Sequence, residues 1–287
     1  MWTFSFDWNA TGYDPNNAYW LARLSRMVYR ERPGIQLETD VFWGNPAVTF
    51  YEHERKDAQG CLLTYPEGAF LAFRGTESLR DWATNLSVVM KRKGNLRFHG
   101  GFLGAVENLY GCRPKAYGAI EEHRRRVEEE SDQYLPTLEQ SLQALVASGK
   151  PVFVCGHSLG GAMACVAALI PPLNGWGGNG PFVYTFGQPR CLSRESVLHI
   201  QANGSVQVYQ HVNNEDIVPR LPPPSLGFAH IALSHLYDKE GNLNSGSALV
   251  KAQNRIKKFR KRINPARISV RDHAMAGYVE LIEELRW

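Results

Sequence analysis

The sequence predicts an α/β fold, with a central, mostly parallel sheet covered by helices on both faces. Strand-like and helix-like segments alternate along the 287 residues, as expected when parallel strands are joined by helical crossovers. Residues 151–155 form a continuous apolar run that ends at Gly156, which is typical of a strand buried on both faces of a sheet. We find no internal repeat and no long linker, so we expect a single domain over residues 1–287.

The composition excludes several classes of protein. Apolar residues make up 44% and charged residues 21% of the chain, which is ordinary for a globular protein. The net charge of +4 is too small to predict nucleic-acid binding. No apolar run reaches the roughly 18 residues of a transmembrane segment, and the first residues do not resemble a signal peptide. We therefore expect a cytoplasmic protein, or one exported without a cleaved signal peptide.

Five cysteines are spread along the chain without the spacing of a metal site. Two of them, Cys155 and Cys165, fall in apolar segments and are expected to be buried free thiols. The sequence therefore predicts neither a disulfide framework nor a bound metal.

Residues 156–161, GHSLGG, connect the buried strand to a helix-prone segment rich in alanine and leucine. A Gly-x-Ser-x-Gly pattern between strand and helix is typical of a nucleophile elbow, in which the serine lies on a sharp, strained turn. Gly156 and Gly160 supply the small neighbours that this turn requires. Ser158 is then expected at a helix N-terminus, which stabilises a developing negative charge. The alternative is an ordinary tight turn with a solvent-facing serine.

The first third of the chain predicts one helix and three short strands. An apolar stripe predicts a helix over residues 16–31, and Pro33-Gly34 is expected to end it. Runs separated by turn residues predict strands at 47–52, 61–65 and 69–73.

The next segment predicts a short amphipathic helix. Ser78 and Asp81 match a capping pattern, so we expect the helix to begin there. Four apolar residues share one face of it: Leu79, Trp82, Leu86 and Val89. Alone, this pattern indicates a surface helix. In a chain with a serine elbow, we interpret residues 76–92 as a movable lid, with Lys91–Gly94 as a flexible exit.

The remaining elements follow from the same kinds of pattern. A dense run of charges predicts a solvated helical insert at about 111–133, and an amphipathic helix follows it and ends near Gly149. Further along, the sequence predicts strands at 182–185 and 206–212, a helix at 193–201, a hairpin formed by 228–238 and the residues from 243, and a last helix from 272.

A reactive serine needs a histidine base that is held by a carboxylate. In an elbow architecture, both follow the serine in the chain. Asp216 is favoured as the acid because it ends a predicted strand, where open α/β sheets hold their ligands; Asp238 and Asp272 are weaker alternatives. Three histidines then remain as the base: His230, His235 and His273. The position of His273 at the start of the last helix suits a base, but the pattern alone leaves the choice open.

Six motifs occur in one order between about residues 70 and 278: FRGTESLRDWATNL, HGGF, GHSLGGA, YTFGQPR, VNNEDIVPRLPP and DHAMAGY. In these motifs the chain resembles the class 3, or fungal-type, triacylglycerol lipase family. The resemblance implies an α/β-hydrolase fold, hydrolysis of carboxylic esters of lipids and no cofactor. It assigns a triad of Ser158 as nucleophile, Asp216 as acid and His273 as base.

The resemblance also implies the rest of the site. Thr76 and the backbone N–H of Leu159 match the donors of the oxyanion hole, and the segment from Ser78 to about Met90 matches the lid helix. The implied partner is a lipid ester at a lipid–water interface. The charged insert at 111–133 and the absence of disulfides depart from the secreted fungal members.

Several functions are compatible with these residues. A triacylglycerol lipase or carboxylesterase is favoured, and a phospholipase A1 or a feruloyl-type esterase would use the same chemistry. A catalytically silent, lipase-like binding protein is the alternative from another class, and the intact triad of Ser158, Asp216 and His273 argues against it. A lipase delivered into competing bacteria is a further hypothesis.

Overall fold

The computed structural model describes residues 4–53, 58–75, 89–114, 135–175, 181–204, 206–231, 235–244 and 271–286. The strands are β1 Ala47–His53, β2 Ala58–Thr64, β3 Ala69–Arg74, β4 Met90–Lys93, β5 Leu96–His99, β6 Val152–His157, β7 Phe182–Phe186, β8 Leu192–Ser193, β9 Gln207–Asn213, β10 Phe228–Ala229, β11 His235–Tyr237 and β12 Leu243–Asn244. The helices are α1 Pro15–Met27, α2 Arg32–Phe42, α3 Gly100–Tyr110, α4 Leu138–Ala147, α5 Leu159–Leu169, α6 Arg194–Asn203 and α7 Met275–Glu283.

An eight-stranded sheet forms the centre of the fold, in the order β1-β2-β3-β6-β7-β9-β11-β12. Strands β3, β6, β7, β9 and β11 are parallel to one another, and the strands at both edges are antiparallel. Every residue of β6 and β7 is buried, as the apolar runs predict for strands covered on both faces. The predicted fold class is confirmed.

Helices cover both faces of this sheet. On one face, α1 packs with α7 around a core that includes Trp20, Phe153 and Tyr278. On the other face, α3, α4 and α5 pack around Phe102, Val154 and further apolar residues. The elbow strand β6 therefore contributes alternate side chains to two apolar cores.

A second, four-stranded antiparallel sheet has the order β10-β8-β5-β4. The sequence does not predict it. Residues 90–93, expected to include a flexible exit from the lid helix, instead form β4 and pair with β5 through a turn at Gly94, whose φ is +57°. Residues 228 and 229, assigned to a hairpin arm, pair with β8. The other part of that hairpin is present, since β11 pairs with β12.

The sequence does not predict helix α2, because Pro33-Gly34 is expected to end the first helix. The structure shows the opposite: α1 ends at Met27, and Pro33 lies in the first turn of α2. Proline is tolerated there because the N–H groups of a first helical turn have no acceptor within the helix.

The N-terminal segment is fastened to helix α1 by an asparagine. The buried Asn17 side chain accepts a hydrogen bond from the backbone N–H of Asp7 (2.9 Å) and donates one to the carbonyl oxygen of Asp7 (2.8 Å). This pairing holds Phe6 and Trp8 against Phe70 of the central sheet, with ring centroids 4.6 and 4.7 Å apart. One polar side chain therefore anchors an aromatic cluster.

Residues 76–88 of the lid predicted at 76–92, and residues 115–133 of the charged insert predicted at 111–133, lie outside the described residues. Among the residues that are described, no helix has both the length and the apolar composition needed to cross a membrane.

We predict that Asn17→Ala lowers the free energy of unfolding by about 1–3 kcal/mol, because two main-chain groups of Asp7 lose their partner. Urea denaturation followed by tryptophan fluorescence measures the change. Asn174→Ala, at an exposed position, is the control, with an expected change within about 0.5 kcal/mol. Equal effects of the two substitutions would contradict the anchoring role.

Candidate active site

Ser158 lies on a strained turn between strand β6 and helix α5. Its φ is +57° and its ψ is −128°, a backbone conformation that costs energy for a residue with a side chain. A Cβ atom added at Gly156 would overlap the main chain of Gly160, and one added at Gly160 would overlap the carbonyl oxygen of Phe73. Glycine is therefore required at both flanking positions, as the elbow pattern predicts.

The nucleophile candidate lies at the N-terminus of α5. Leu159 is the first residue of that helix, so its N–H belongs to the first turn, where donors have no partner within the helix. Ser158 is only 1% exposed, and its Oγ has no hydrogen-bond partner within the part of the chain that the structure describes. A buried hydroxyl beside free helix donors is suited to a reaction in which negative charge develops nearby.

Asp216 and His273 form a buried hydrogen-bonded pair. Asp216 follows strand β9 and is fully buried, and its Oδ2 accepts from Nδ1 of His273 at 2.8 Å. Its other oxygen, Oδ1, accepts from the N–H of Val218 at 2.9 Å. Since Nδ1 of His273 carries the donated proton, Nε2 is the basic nitrogen. That atom is buried and has no partner.

Ser158 and Asp216 follow the carboxyl ends of β6 and β9, two strands that are separated by β7 in the sheet, and His273 is bonded to Asp216. The N–H of Ser158 bonds to the carbonyl oxygen of Phe186, the last residue of β7. The next residue, Gly187, has a φ of +60°, and a Cβ there would lie 2.8 Å from Oδ2 of Asp216 and 2.9 Å from Cε1 of His273. Strands β6, β7 and β9 are neighbours in the sheet. Their order therefore brings the backbone of Ser158 near the bonded pair of Asp216 and His273, while within the described residues no hydrogen bond joins Oγ of Ser158 to Nε2 of His273.

The alternative candidates bond elsewhere. Nε2 of His230 lies 2.7 Å from the carbonyl oxygen of Pro219, and the His235 ring stacks on that of His211 at 4.6 Å. Asp238 accepts bonds from main-chain N–H groups of its own turn. Asp272 accepts a bond from the side chain of Asn214.

Of the remaining predicted side chains, those of the oxyanion hole and the lid, the structure describes only Val89. Thr76 and four residues of the predicted lid, Ser78, Leu79, Trp82 and Leu86, lie outside the described residues. Val89, the last predicted lid residue, directly precedes β4 and is 58% exposed.

Tyr278 belongs to the site although the sequence analysis assigns it no role. Its hydroxyl donates to Oδ2 of Asp216 at 2.6 Å and accepts from the N–H of Asn213 at 3.0 Å. Burial and the Asp216 carboxylate raise the pKa of Tyr278 well above its ordinary value, so the hydroxyl stays protonated and donates. The signal was present in the DHAMAGY motif, one helical turn and a half beyond His273.

Arg190 holds the loop that follows the acid. Its guanidinium donates to the carbonyl oxygens of Arg220 and Pro222. Its main-chain N–H donates to the carbonyl oxygen of Leu221 at 2.7 Å. The loop is therefore fixed at three successive residues.

Within the described residues, no group of three or more histidine, cysteine, aspartate or glutamate side chains is arranged to bind a metal ion. The carboxylate and imidazole of the site bind each other, and the arrangement supports nucleophilic and acid–base chemistry.

Comparison with known proteins points to one family. The model of the class 3 lipase family matches residues 70–226. A lipase of Rhizomucor miehei is 31% identical over 166 residues, which cover 56% of this chain and 39% of that protein. The triacylglycerol lipase OBL1 of Arabidopsis thaliana is 31% identical over 253 residues, covering 75% of this chain and 48% of its own. The chain thus spans less than half the length of these curated relatives.

The fold is shared with solved structures. The structure of a triacylglyceride lipase from Rhizomucor miehei aligns with 90% of this chain and 92% of its own, with a TM-score of 0.57 and 23% identity. The prediction of an α/β-hydrolase fold is confirmed.

We predict that stability falls as the pH is lowered from about 6.5 towards 4. Burial lowers the pKa of His157 and of His230 to about 3, and that of His235 to about 4. Between those values and the ordinary histidine pKa of about 6.5, the unfolded chain binds protons that the native protein does not. The unfolding free energy therefore decreases with falling pH, which urea denaturation at several pH values measures.

A pair of variants tests the source of this dependence. His235→Phe is expected to make the slope shallower near pH 5, by up to about 1.4 kcal/mol per pH unit, the contribution of one proton. His199→Gln, at an exposed position, is expected to leave the slope unchanged. The interpretation fails if both variants retain the full slope.

Proposed function

We propose that this chain, which belongs to the class 3 lipase family, is a serine hydrolase that cleaves carboxylic esters of lipids, as triacylglycerol lipases do. One observation carries the proposal: Nδ1 of His273 is bound to Asp216, while Nε2 of His273 and Oγ of Ser158 are both buried without a partner. A carboxylate-oriented base whose second nitrogen is free can perform acyl transfer once that nitrogen forms a hydrogen bond with the serine hydroxyl, a contact that commonly tightens when substrate binds.

In the first half of the reaction, Oγ of Ser158 attacks the ester carbonyl while Nε2 of His273 takes its proton. Asp216 holds the imidazole in the tautomer that leaves Nε2 basic, and it stabilises the imidazolium that forms. His273 then gives its proton to the departing alcohol. The product of this half is an acyl ester on Ser158.

In the second half, water attacks the acyl ester, with His273 as the base again, and the fatty acid leaves. The oxyanion formed in each half is stabilised by the N–H of Leu159, at the first turn of α5, and by a donor from Thr76. Donors fixed where charge develops typically contribute about 10²–10³ in rate.

We also propose that the part of the predicted lid that precedes β4, residues 76–89, forms a lid, and that the substrate is presented at a lipid–water interface. The chain leaves β3 at Gly75, where an added Cβ would lie 3.4 Å from Cβ of Ser158. It returns at Val89, whose apolar side chain is exposed. The segment therefore begins next to the nucleophile and ends in an apolar residue at the surface, as a lid that contacts lipid requires.

We propose a reducing compartment such as the cytoplasm as the place where the protein folds. All five cysteines are free thiols, and four of them are buried. Proteins that mature in oxidising compartments commonly form disulfides, so the thiol state supports the cytoplasm as the place where the protein folds.

We predict that Ser158→Ala abolishes hydrolysis of p-nitrophenyl esters, with kcat reduced by a factor on the order of 10⁴ or more. The unmodified protein is expected to react with a fluorophosphonate at Ser158 and to prefer long-chain esters, particularly above the concentration at which they aggregate. Ser225→Ala, at an exposed position, is the matched control and is expected to retain full activity.

Other outcomes assign the other functions. A preference for the shortest esters would indicate an esterase, and hydrolysis of phospholipid in preference to triglyceride would indicate a phospholipase. Inactivity on all of these substrates, without labelling of Ser158, would overturn the proposal in favour of a binding protein.

We predict that Tyr278→Phe lowers kcat about tenfold and lowers the unfolding free energy by about 1.5–3 kcal/mol, because a hydrogen bond to a buried carboxylate is lost. Steady-state kinetics and urea denaturation measure the two effects. Tyr209→Phe removes a hydroxyl that bonds to Gln207 in a half-buried position, and it serves as the control. If both variants behave alike, the bond to Asp216 has no special role.

A further inference from the structure

His157, the residue before the nucleophile, is packed against the base without belonging to the triad. It is 6% exposed, and its ring centroid lies 4.4 Å from that of His273. Its Nε2 lies 2.7 Å from the main-chain carbonyl oxygen of His273, and its Nδ1 lies 3.0 Å from the hydroxyl of Tyr29. Both ring nitrogens of His157 are therefore occupied.

These two partners fix the tautomer of His157. A carbonyl oxygen only accepts hydrogen bonds, so Nε2 must carry a proton and donate it. In the neutral ring Nδ1 is then an acceptor, and the Tyr29 hydroxyl is its donor. Burial and the neighbouring His273 lower the pKa of His157 to about 3, so the ring stays neutral in this arrangement at ordinary pH.

The carbonyl oxygen that His157 binds belongs to the short turn that carries the base. Residues Arg271–His273 form one 3₁₀ turn before helix α7. The preceding carbonyl oxygen, that of Asp272, accepts from the side chain of Asn213 at 3.0 Å. Two successive carbonyl groups of the turn thus accept hydrogen bonds. One donor, Asn213, is at the end of β9, which leads to the acid. The other donor, His157, is at the end of β6, which leads to the nucleophile.

We propose that His157 and Tyr29 are positioning residues for the base: Tyr29 fixes the tautomer of His157, and the Nε2–H of His157 holds the carbonyl oxygen of His273 so that the imidazole stays beside Ser158. The inference rests on the proposed esterase function for its kinetic consequences. Since His157 and Ser158 are adjacent on one strand end, the bond ties the backbone of the base to the backbone of the nucleophile.

A neutral ring is essential to this arrangement. During the reaction His273 gains a proton, and a second positive charge with its ring centre 4.4 Å away would oppose that step. Neutral His157 supplies a hydrogen-bond donor and an aromatic surface without a charge. Lysine or arginine would also donate to the carbonyl oxygen but would add the opposing charge.

Two substitutions at one position separate the donor from the packing. His157→Leu removes the hydrogen-bond donor and fills the space with an apolar side chain. His157→Gln removes the ring but supplies an amide N–H that can reach the carbonyl oxygen. We expect His157→Leu to lower kcat on a soluble ester by about 10- to 100-fold, the cost of a small misplacement of a catalytic group, with KM changed less than about threefold. His157→Gln is expected to recover at least half of that loss on a logarithmic scale.

The pH profile and a control distinguish positioning from a general loss of structure. In His157→Leu we expect the acidic limb of kcat/KM to move to lower pH, because a misplaced imidazolium loses part of its contact with Asp216. His235→Leu removes another buried histidine that stacks on His211, and it is expected to leave both kcat per folded molecule and the pH profile unchanged. Thermal denaturation gives the folded fraction of each variant.

The inference is overturned if His157→Gln is no more active than His157→Leu, or if both lose activity only in proportion to their folded fraction. A spectroscopic test is independent of any activity. Nitrogen NMR of the native protein is expected to show His157 neutral and protonated at Nε2 from pH 8 to pH 5, and Tyr29→Phe is expected to weaken that preference.

The two tests also separate this inference from the proposed function. A protein that hydrolyses no ester and is not labelled at Ser158 refutes the esterase, yet the NMR result still decides the hydrogen-bond arrangement. A His157 ring protonated at Nδ1, or charged at pH 6, refutes the positioning role even in an active enzyme.

Discussion

The site depends on the close backbone contact between helix α5 and the ends of strands β3 and β6. Gly160 lies against the carbonyl group of Phe73, and Gly156 lies against Gly160, so no side chain fits at either position. This contact brings the helix N-terminus to the strand ends and forces Ser158 into a left-handed conformation, at a cost of about 1–3 kcal/mol. Burial of residues 160–169 offsets that cost. The nucleophile consequently lies at the N-terminal, positive end of the helix dipole.

The buried carboxylate of Asp216 imposes a second constraint. A charge removed from water persists only when hydrogen bonds replace its solvation. Its donors come from three segments: Tyr278 on α7, His273 on the turn before that helix, and Val218 in the loop that follows the acid. These bonds attach the last helix to the end of β9. The interactions that keep the charge in the core therefore also orient the base, and stability and chemistry share the same contacts.

Local pattern predicted the elements whose sequence has a single structural meaning. The apolar run of β6 and the beginning of α1 are examples: β6 lies where its run predicts, and α1 begins at Pro15 as expected but ends at Met27, before the predicted end at residue 31. Pro33-Gly34 was misread because the pair suits the beginning of a helix as well as its end. Residues 90–93 carry three cations and little apolar alternation, and they form a strand only because β5 provides its hydrogen-bond partners. The resemblance to class 3 lipases is confirmed, and the roles it assigns remain proposals.

The sequence by itself determined the fold class, the family and the elbow at Ser158. An elbow is a property of a few consecutive residues, so glycine, serine and the flanking strand and helix are sufficient to specify it. The base was different, since three histidines followed Asp216 and local pattern left the choice among them open. Only the tertiary structure shows that His273 hydrogen-bonds to Asp216, 57 residues away in the sequence, and that Tyr29 hydrogen-bonds to His157, 128 residues away in the sequence. The reason is physical: these contacts arise from the order of strands in the sheet and from burial between layers, and no local sequence pattern encodes either.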